Sequence, residues 1–338
     1  MNIEQKNRKG MSKGRRRRRN LAKFYLAILV LSVCFLSVLA FKEKMNPGNR
    51  GENLITSLAN IDSSIPEVEK LPDGSMDLQN LTSKDAMLSE LTSGIALGEK
   101  NSQNRVYPAS LTKIMTAILA IEHTPDLNQT MTLPPDIFPD LYVQNASMAG
   151  FQPGEKVRLK DLLYGVLLPS GAECCLGFAD YIAGSEKAFV ELMNEKAEEL
   201  GMINTHFSNS TGLHDKDHYS TVEDISILLR YALKNERFRS AFTSASYTTQ
   251  PTNLNSQGIT FQSTMFKNLE VSEVTNGEIL GGKTGYTQEA GLCLASLALV
   301  NNKEYILVTA GAGGTHQTRQ FNILDAVNVY SQIGNPDS

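Results

Sequence analysis

This chain reads as a mixed α/β (α+β) protein, and three segments carry that reading. Pro108-Ala109-Ser110 opens a helix running through Ile121-Glu122, with Leu111, Ile114, Met115, Ile118 and Leu119 spaced to form one buried face. Leu292 to Val300, the Asn301-Asn302 pair and Tyr305 to Gly311 read as a β-hairpin. Thr315 to Ile333 then reads as a closing helix.

From the N-terminus, residues 1–23 form a basic segment in which Arg15 to Arg19 are unbroken positive charge. Phe24 to Phe41 follows, 18 residues without a charge, closed by Lys42-Glu43-Lys44. A basic block directly before such a run predicts a single N-terminal transmembrane helix, 24–41, acting as an uncleaved signal-anchor. By the positive-inside rule residues 1–23 are then cytoplasmic and the rest extracytoplasmic at the cell membrane. Cleavage after Ala40 is the alternative and gives a secreted form. Residues 42–82, rich in Asn, Gly, Ser, Pro, Asp and Glu, read as an extracellular linker, and 83–333 as the main folded domain. Within that domain Met87 to Leu97 reads as a strand or hairpin, with Gly98 to Asn101 as a turn before Arg105-Val106-Tyr107.

Charge excludes one function class. Residues 1–50 hold 13 Lys/Arg and 2 Asp/Glu out of chain totals of 32 and 36, so the remainder is near −15. An acidic body of this kind is a poor match for nucleic acid, which needs clustered cations. Beside a membrane segment, the arginine block is better explained by topology than by nucleic-acid binding. The four cysteines, Cys34, Cys174, Cys175 and Cys293, show no metal spacing and read as small buried residues, with a bridge from Cys293 to Cys174 or Cys175 left open. His206, His214 and His218 with Asp215 and Asp217 fit no common zinc pattern, so no metal is expected. His123 and His316 read as surface or packing residues.

Three short motifs carry the chemistry. In Ser110-Leu111-Thr112-Lys113 the hydroxyl and amine are three residues apart, which on a helix places them on one face. There Lys113, partly buried, gives up some of its preference for charge and serves as a base for Ser110. Ser170-Gly171-Ala172 follows an apolar helix at Leu162 to Leu168 and precedes another from about Glu173 to Ile182, so that Ser170 faces a cleft. Gly281-Gly282-Lys283-Thr284-Gly285-Tyr286-Thr287 reads as an edge strand that a peptide can approach closely. Lys283 and Thr284, with Gly285 closing the motif, would meet a carboxylate, while the amides of Ser110 and Tyr286 would form an oxyanion hole.

With these motifs in order, the chain resembles the serine-type D-alanyl-D-alanine carboxypeptidases, low-molecular-mass penicillin-binding proteins, from about Ser83 to Ile333. The resemblance also covers Pro108 to Thr116, Thr205 to Asn209 with Gly212-Leu213, His218 to Thr221, Asp224, and Glu289-Ala290-Gly291. It implies a β-lactamase/transpeptidase-like fold, an antiparallel sheet flanked by helices plus a helical subdomain bearing the second motif. It implies Ser110, Lys113 and Ser170 as catalytic, and Lys283, Thr284, Gly285 and Tyr286 as substrate-binding. The implied reaction removes the terminal D-Ala from peptidoglycan stem pentapeptides, on lipid-linked precursor or wall, through a Ser110 acyl-enzyme. No cofactor is required, and β-lactams are implied as covalent inhibitors. Wall maturation and an accessory role in glycopeptide resistance are both compatible with that reaction. Many relatives append a β-rich domain and a C-terminal amphipathic anchor; this chain is expected to use its N-terminal segment for attachment instead.

One departure stands out. Relatives usually carry Asn where this chain has Ala172, so a weakly active or non-catalytic peptidoglycan- or β-lactam-binding protein is the alternative. Glu173 beside it reads as a helix-surface acid. A class A β-lactamase would need a carboxylate to activate water, and no Glu-x-x-Leu-Asn segment supplies it.

Overall fold

The computed structural model describes residues 75–335. The basic segment, the signal-anchor and most of the linker lie outside the described residues, as does Cys34. Among the described residues no helix is long and apolar enough to cross a membrane.

The strands are β1 (Asp85–Glu90), β2 (Ala96–Lys100), β3 (Thr130–Thr132), β4 (Lys156–Arg158), β5 (Ser246–Thr248), β6 (Thr260–Gln262), β7 (Glu273–Val274), β8 (Gly277–Thr287), β9 (Gly291–Val300) and β10 (Lys303–Ala312). The helices are α1 (Lys113–His123), α2 (Phe138–Val143), α3 (Leu159–Leu167), α4 (Ala172–Ala183), α5 (Glu186–Glu199), α6 (Val222–Ala232), α7 (Glu236–Phe242) and α8 (Phe321–Gly334). Six strands form one antiparallel sheet in the order β2-β1-β10-β9-β8-β7. Two small hairpins, β3-β4 and β5-β6, stand apart from it.

Strand alternation explains why this sheet is covered on both faces. In β9, Cys293, Ala295 and Leu297 enter one apolar cluster, shared with α1, α3, α4 and α6, whereas Leu294, Ala298 and Val300 enter a second cluster with Ile323, Ala326 and Val329 of α8. A period of two with both sets apolar is the pattern of a strand buried on both sides. The β9-β10 turn is Asn301-Asn302, at φ of 50° and 61°; paired left-handed residues of this kind suit a two-residue hairpin.

Several boundaries differ from the sequence reading. Gly98 to Lys100 belong to β2 rather than to a turn, because the chain reverses earlier, between β1 and β2, with Gly94 at φ 74°. Alternation marks a strand but does not show where its neighbour begins. The closing helix starts at Phe321 instead of Thr315; the intervening residues form a turn in which Thr318 Oγ1 accepts the Thr315 amide at 2.8 Å. The packed body also starts ahead of residue 83. Leu78 and Leu81 are buried in the α8 cluster, and Lys100 Nζ donates to the carbonyls of Gln79 and Leu81 at 3.1 and 2.9 Å.

One buried carboxylate ties this N-terminal stretch to α8. Asp325 accepts the amides of Thr82 and Ser83 at 3.0 and 2.7 Å and the Ser83 hydroxyl at 2.7 Å. Asp325→Ala orphans three donors at once, so a loss of about 3 kcal/mol is expected, since each unsatisfied buried group costs on the order of 1–3 kcal/mol. Urea unfolding measures it; an unchanged midpoint would show that the tie contributes nothing.

Candidate active site

The first motif is built differently from a plain helix start. Ala109–Thr112 forms a 3₁₀ turn, and the α-helix begins only at Lys113. Ala109 sits at φ 46°, a left-handed conformation that costs an alanine on the order of 1 kcal/mol and persists where neighbours enforce it. Gly212 packs against it so closely that a Cβ there would lie 1.9 Å from the Ala109 carbonyl oxygen. Gly212 itself has φ 78°, so no side chain fits there on either count.

Within this frame Lys113 Nζ donates to Ser110 Oγ at 3.2 Å and to the Thr211 carbonyl at 2.5 Å. Burial pushes the Lys113 pKa below the ordinary lysine value, opposed by Cys175 and Glu173. The 209–213 loop that supplies the carbonyl is closed by Asn209, whose Oδ1 accepts from the Thr211 and Gly212 amides. The Asn209 and Gly212-Leu213 segment quoted from the sequence thus backs the first motif.

Ser170 lies between α3 and α4, in the left-handed region at φ 67°. Its Oγ accepts a hydrogen bond from Lys283 Nζ at 3.0 Å. Lys283 is fully buried, its second bond goes to the Thr284 carbonyl at 2.8 Å, and burial together with Lys113 drives its pKa well below the usual lysine value. The expectation that Lys283 grips a carboxylate directly therefore changes: its side-chain nitrogen lies behind Ser170 rather than in the open cleft. Thr284, by contrast, lines the cleft, and its Oγ1 is 2.6 Å from Thr264 Oγ1.

The cleft has a volume of about 310 Å³ and brings Ser110, Ser170, Thr284, Gly285 and Tyr286 together. Beyond Glu278, β8 pairs with β9 alone in the sheet, which leaves its other edge free beside the serines. Gly285 keeps that approach open, because a Cβ there would lie 3.0 Å from the Ser110 amide nitrogen. Of the seven residues singled out in sequence, five line the cleft, while Lys113 and Lys283 stand behind the two serines. Ser147, Thr264 and His316 line it as well and were missed. His316, read as surface or packing, stands edge-on to Tyr286 with ring centroids 4.6 Å apart. Nothing local marks these three residues.

Among the described residues no group of His, Cys, Asp and Glu is arranged to hold a metal. Cys174, Cys175 and Cys293 are buried free thiols, so the bridge left open is not formed, and burial pushes both Cys175 and Cys293 up to about 12.

His218 supports the first motif. Its Nδ1 accepts the Ser208 amide at 3.0 Å, so in the neutral ring Nε2 carries the proton and donates to Thr112 Oγ1 at 2.7 Å. Burial lowers its pKa from 6.5 to about 4. Between those values the unfolded chain binds a proton that the folded chain refuses. The contribution is thus full above pH 6.5 and is lost as pH falls toward 4, amounting to about 3 kcal/mol. The difference in stability between wild type and His218→Asn, followed by urea unfolding from pH 7 to pH 4, should shrink by that amount. A constant difference would refute a neutral buried His218.

Similar proteins place the fold and the family. The crystal structure of Streptomyces K15 DD-transpeptidase superposes with a TM-score of 0.66 at 26% identity, covering 75% of this chain and 98% of that one. The class is therefore the transpeptidase-like mixed α/β fold, an antiparallel sheet with helices on both faces. The family model described as D-alanyl-D-alanine carboxypeptidase, peptidase S11, matches residues 73–314, and the chain belongs to that family. D-alanyl-D-alanine carboxypeptidase DacF of Bacillus subtilis is 34% identical over 238 residues, and DacD of Escherichia coli is 31% identical over 234. The aligned regions cover 68% and 67% of this chain and 57% of each relative, so the chain spans little more than half the length of these proteins.

Proposed function

We propose that this chain is a serine D,D-carboxypeptidase removing the terminal D-Ala from peptidoglycan stem pentapeptides. The observation that carries it is the pair of serine-lysine contacts across one open strand edge: Ser110 with Lys113 at 3.2 Å and Ser170 with Lys283 at 3.0 Å. Both are made with alanine at 172, which supports an active enzyme over a binding protein. A serine beside a lysine whose charge burial disfavours is an activated nucleophile.

In this reading Lys113 accepts the Ser110 proton as Oγ attacks the carbonyl between the two D-alanines. The oxyanion forms against the amides of Ser110 and Tyr286. The proton taken up by Lys113 goes on to the leaving nitrogen by way of the Ser170 hydroxyl, which Lys283 orients at 3.0 Å, so the C–N bond breaks and free D-alanine departs. The peptide's terminal carboxylate meets Thr284, whose hydroxyl Thr264 orients. Water then attacks the ester, freeing the tetrapeptide and returning a proton to Ser110. A β-lactam acylates the same oxygen and stays. The charge-free run 24–41 after Arg15 to Arg19 supports attachment at the membrane with this domain outside, where lipid-linked precursor and wall are both available.

The full chain in detergent, incubated with diacetyl-L-Lys-D-Ala-D-Ala, is expected to release D-alanine, and the peptide ending in L-Ala is not. A folded chain that binds the peptide without release would favour a binding protein. Fast hydrolysis of penicillin would favour a β-lactamase.

A further inference from the structure

Glu173 is not the surface acid its position suggests. It is fully buried at the start of α4, and its Oε1 accepts three consecutive backbone amides: Ala149 at 2.7 Å, Gly150 at 2.9 Å and Phe151 at 3.3 Å. Successive N–H groups converging on one point form an anion cradle, and here the chain supplies its own anion. Oε2 has no hydrogen-bond partner. Burial accordingly raises the Glu173 pKa against the pull of the amides. An apolar side chain here would avoid burying the carboxylate but would leave three amides without their acceptor.

What it holds is one wall of the cleft. Ser147, two residues before the cradle, lines the cleft with Ser110 and Ser170, and its carbonyl accepts the Ala172 amide at 2.8 Å. The fit between this segment and the second motif is tight. A Cβ on Gly171 would lie 2.7 Å from Ala149 Cβ and 2.9 Å from Glu173 Oε2. Ser170 is next in the chain and is held in a left-handed conformation. Alanine at 172 offers no polar side chain, so among the described residues the Glu173 carboxylate and the Ala172 amide are the hydrogen-bonded links from α4 to residues 147–151.

We infer that Glu173 is a positioning residue: by clamping the amides of residues 149–151 it holds the Ser147 wall against the second motif and keeps the Ser170 hydroxyl aligned on Lys283. Its kinetic consequence rests on the carboxypeptidase reading; the clamp itself does not.

The test compares full-length wild type, Glu173→Ala and Glu173→Gln by hydrogen exchange at residues 149–151 and by kcat and KM on diacetyl-L-Lys-D-Ala-D-Ala. Glu173→Ala is expected to lose protection at those amides by about tenfold or more and to lower kcat by about tenfold or more, with KM moved less than about threefold. Glu173→Gln keeps an oxygen for the same three amides and is expected to hold both readouts within about threefold of wild type. Should the alanine variant not fold, Glu173→Asp, one methylene too short, takes its place with the same expected losses. A folded alanine or aspartate variant with wild-type exchange or wild-type kcat overturns the proposal, as does a glutamine variant as damaged as the alanine one. If wild type releases no D-alanine, the functional reading fails instead, and the exchange data alone decide whether the clamp exists.

Discussion

Ser110→Ala is expected to lower D-alanine release by a factor on the order of 10⁴ to 10⁶ and to abolish the covalent β-lactam adduct, while the protein stays folded. The size follows from chemistry: without Oγ no ester forms, and only cleft binding and the oxyanion amides remain to assist direct attack by water. The fold should tolerate the change. Ser110 is half-buried, alanine is smaller, and Lys113 keeps its bond to the Thr211 carbonyl. Release of D-alanine is the measurement, with intact-mass detection of penicillin adducts and a thermal melt as companions. Activity within tenfold of wild type in a folded variant would remove Ser110 as nucleophile and turn attention to Ser170, the other serine bonded to a lysine in the same cleft.

Lys113→Met should cost the second largest factor, about 10³ to 10⁴ in kcat/KM, the upper range for removal of a positioned base. Methionine matches the lysine stem in length and volume, so the loss would report on the amine and not on a cavity. The pH dependence carries a sign. Burial lowers the Lys113 pKa, so in wild type the neutral, basic form appears at a lower pH than for an exposed lysine. The acid limb of kcat/KM should lie below the ordinary lysine range and should disappear in the variant. The groups facing Lys113 are Glu173, Cys174 and Cys175 from α4, Lys283 from β8 and His218 from the loop ahead of α6. An unchanged acid limb in Lys113→Met would assign that titration to one of these neighbours.

Parts of the architecture were legible from local pattern. The apolar spacing from Leu111 to Ile121, the Asn301-Asn302 turn and the continuous apolar run of β9 each encode an element, and the turn and strand formed where expected while the helix began only at Lys113. Errors fell where a local pattern has two readings. Gly98 to Lys100 can be a turn or a strand, and the partner strand β1 decides. Pro108 can open an α-helix, but the folded chain starts with a 3₁₀ turn at Ala109–Thr112, against which Gly212, about a hundred residues on, packs with no room for a Cβ.

The site divides in the same way. The three motifs identified Ser110, Lys113, Ser170 and the Lys283 to Tyr286 strand from residue type and spacing alone, because nucleophile and base must lie within one turn of each other. Sequence by itself thus singled out the serines and lysines that the fold brings together, and showed that a basic, apolar segment precedes an acidic body. Only the tertiary structure decided where those groups point. Lys283 turns inward to Ser170, Thr264 meets Thr284, and Glu173 leaves the helix surface for a cradle of amides more than twenty residues upstream. The physical reason is that a buried polar group must find its partner wherever packing has put one, and that partner is set by the whole chain, not by the residues beside it.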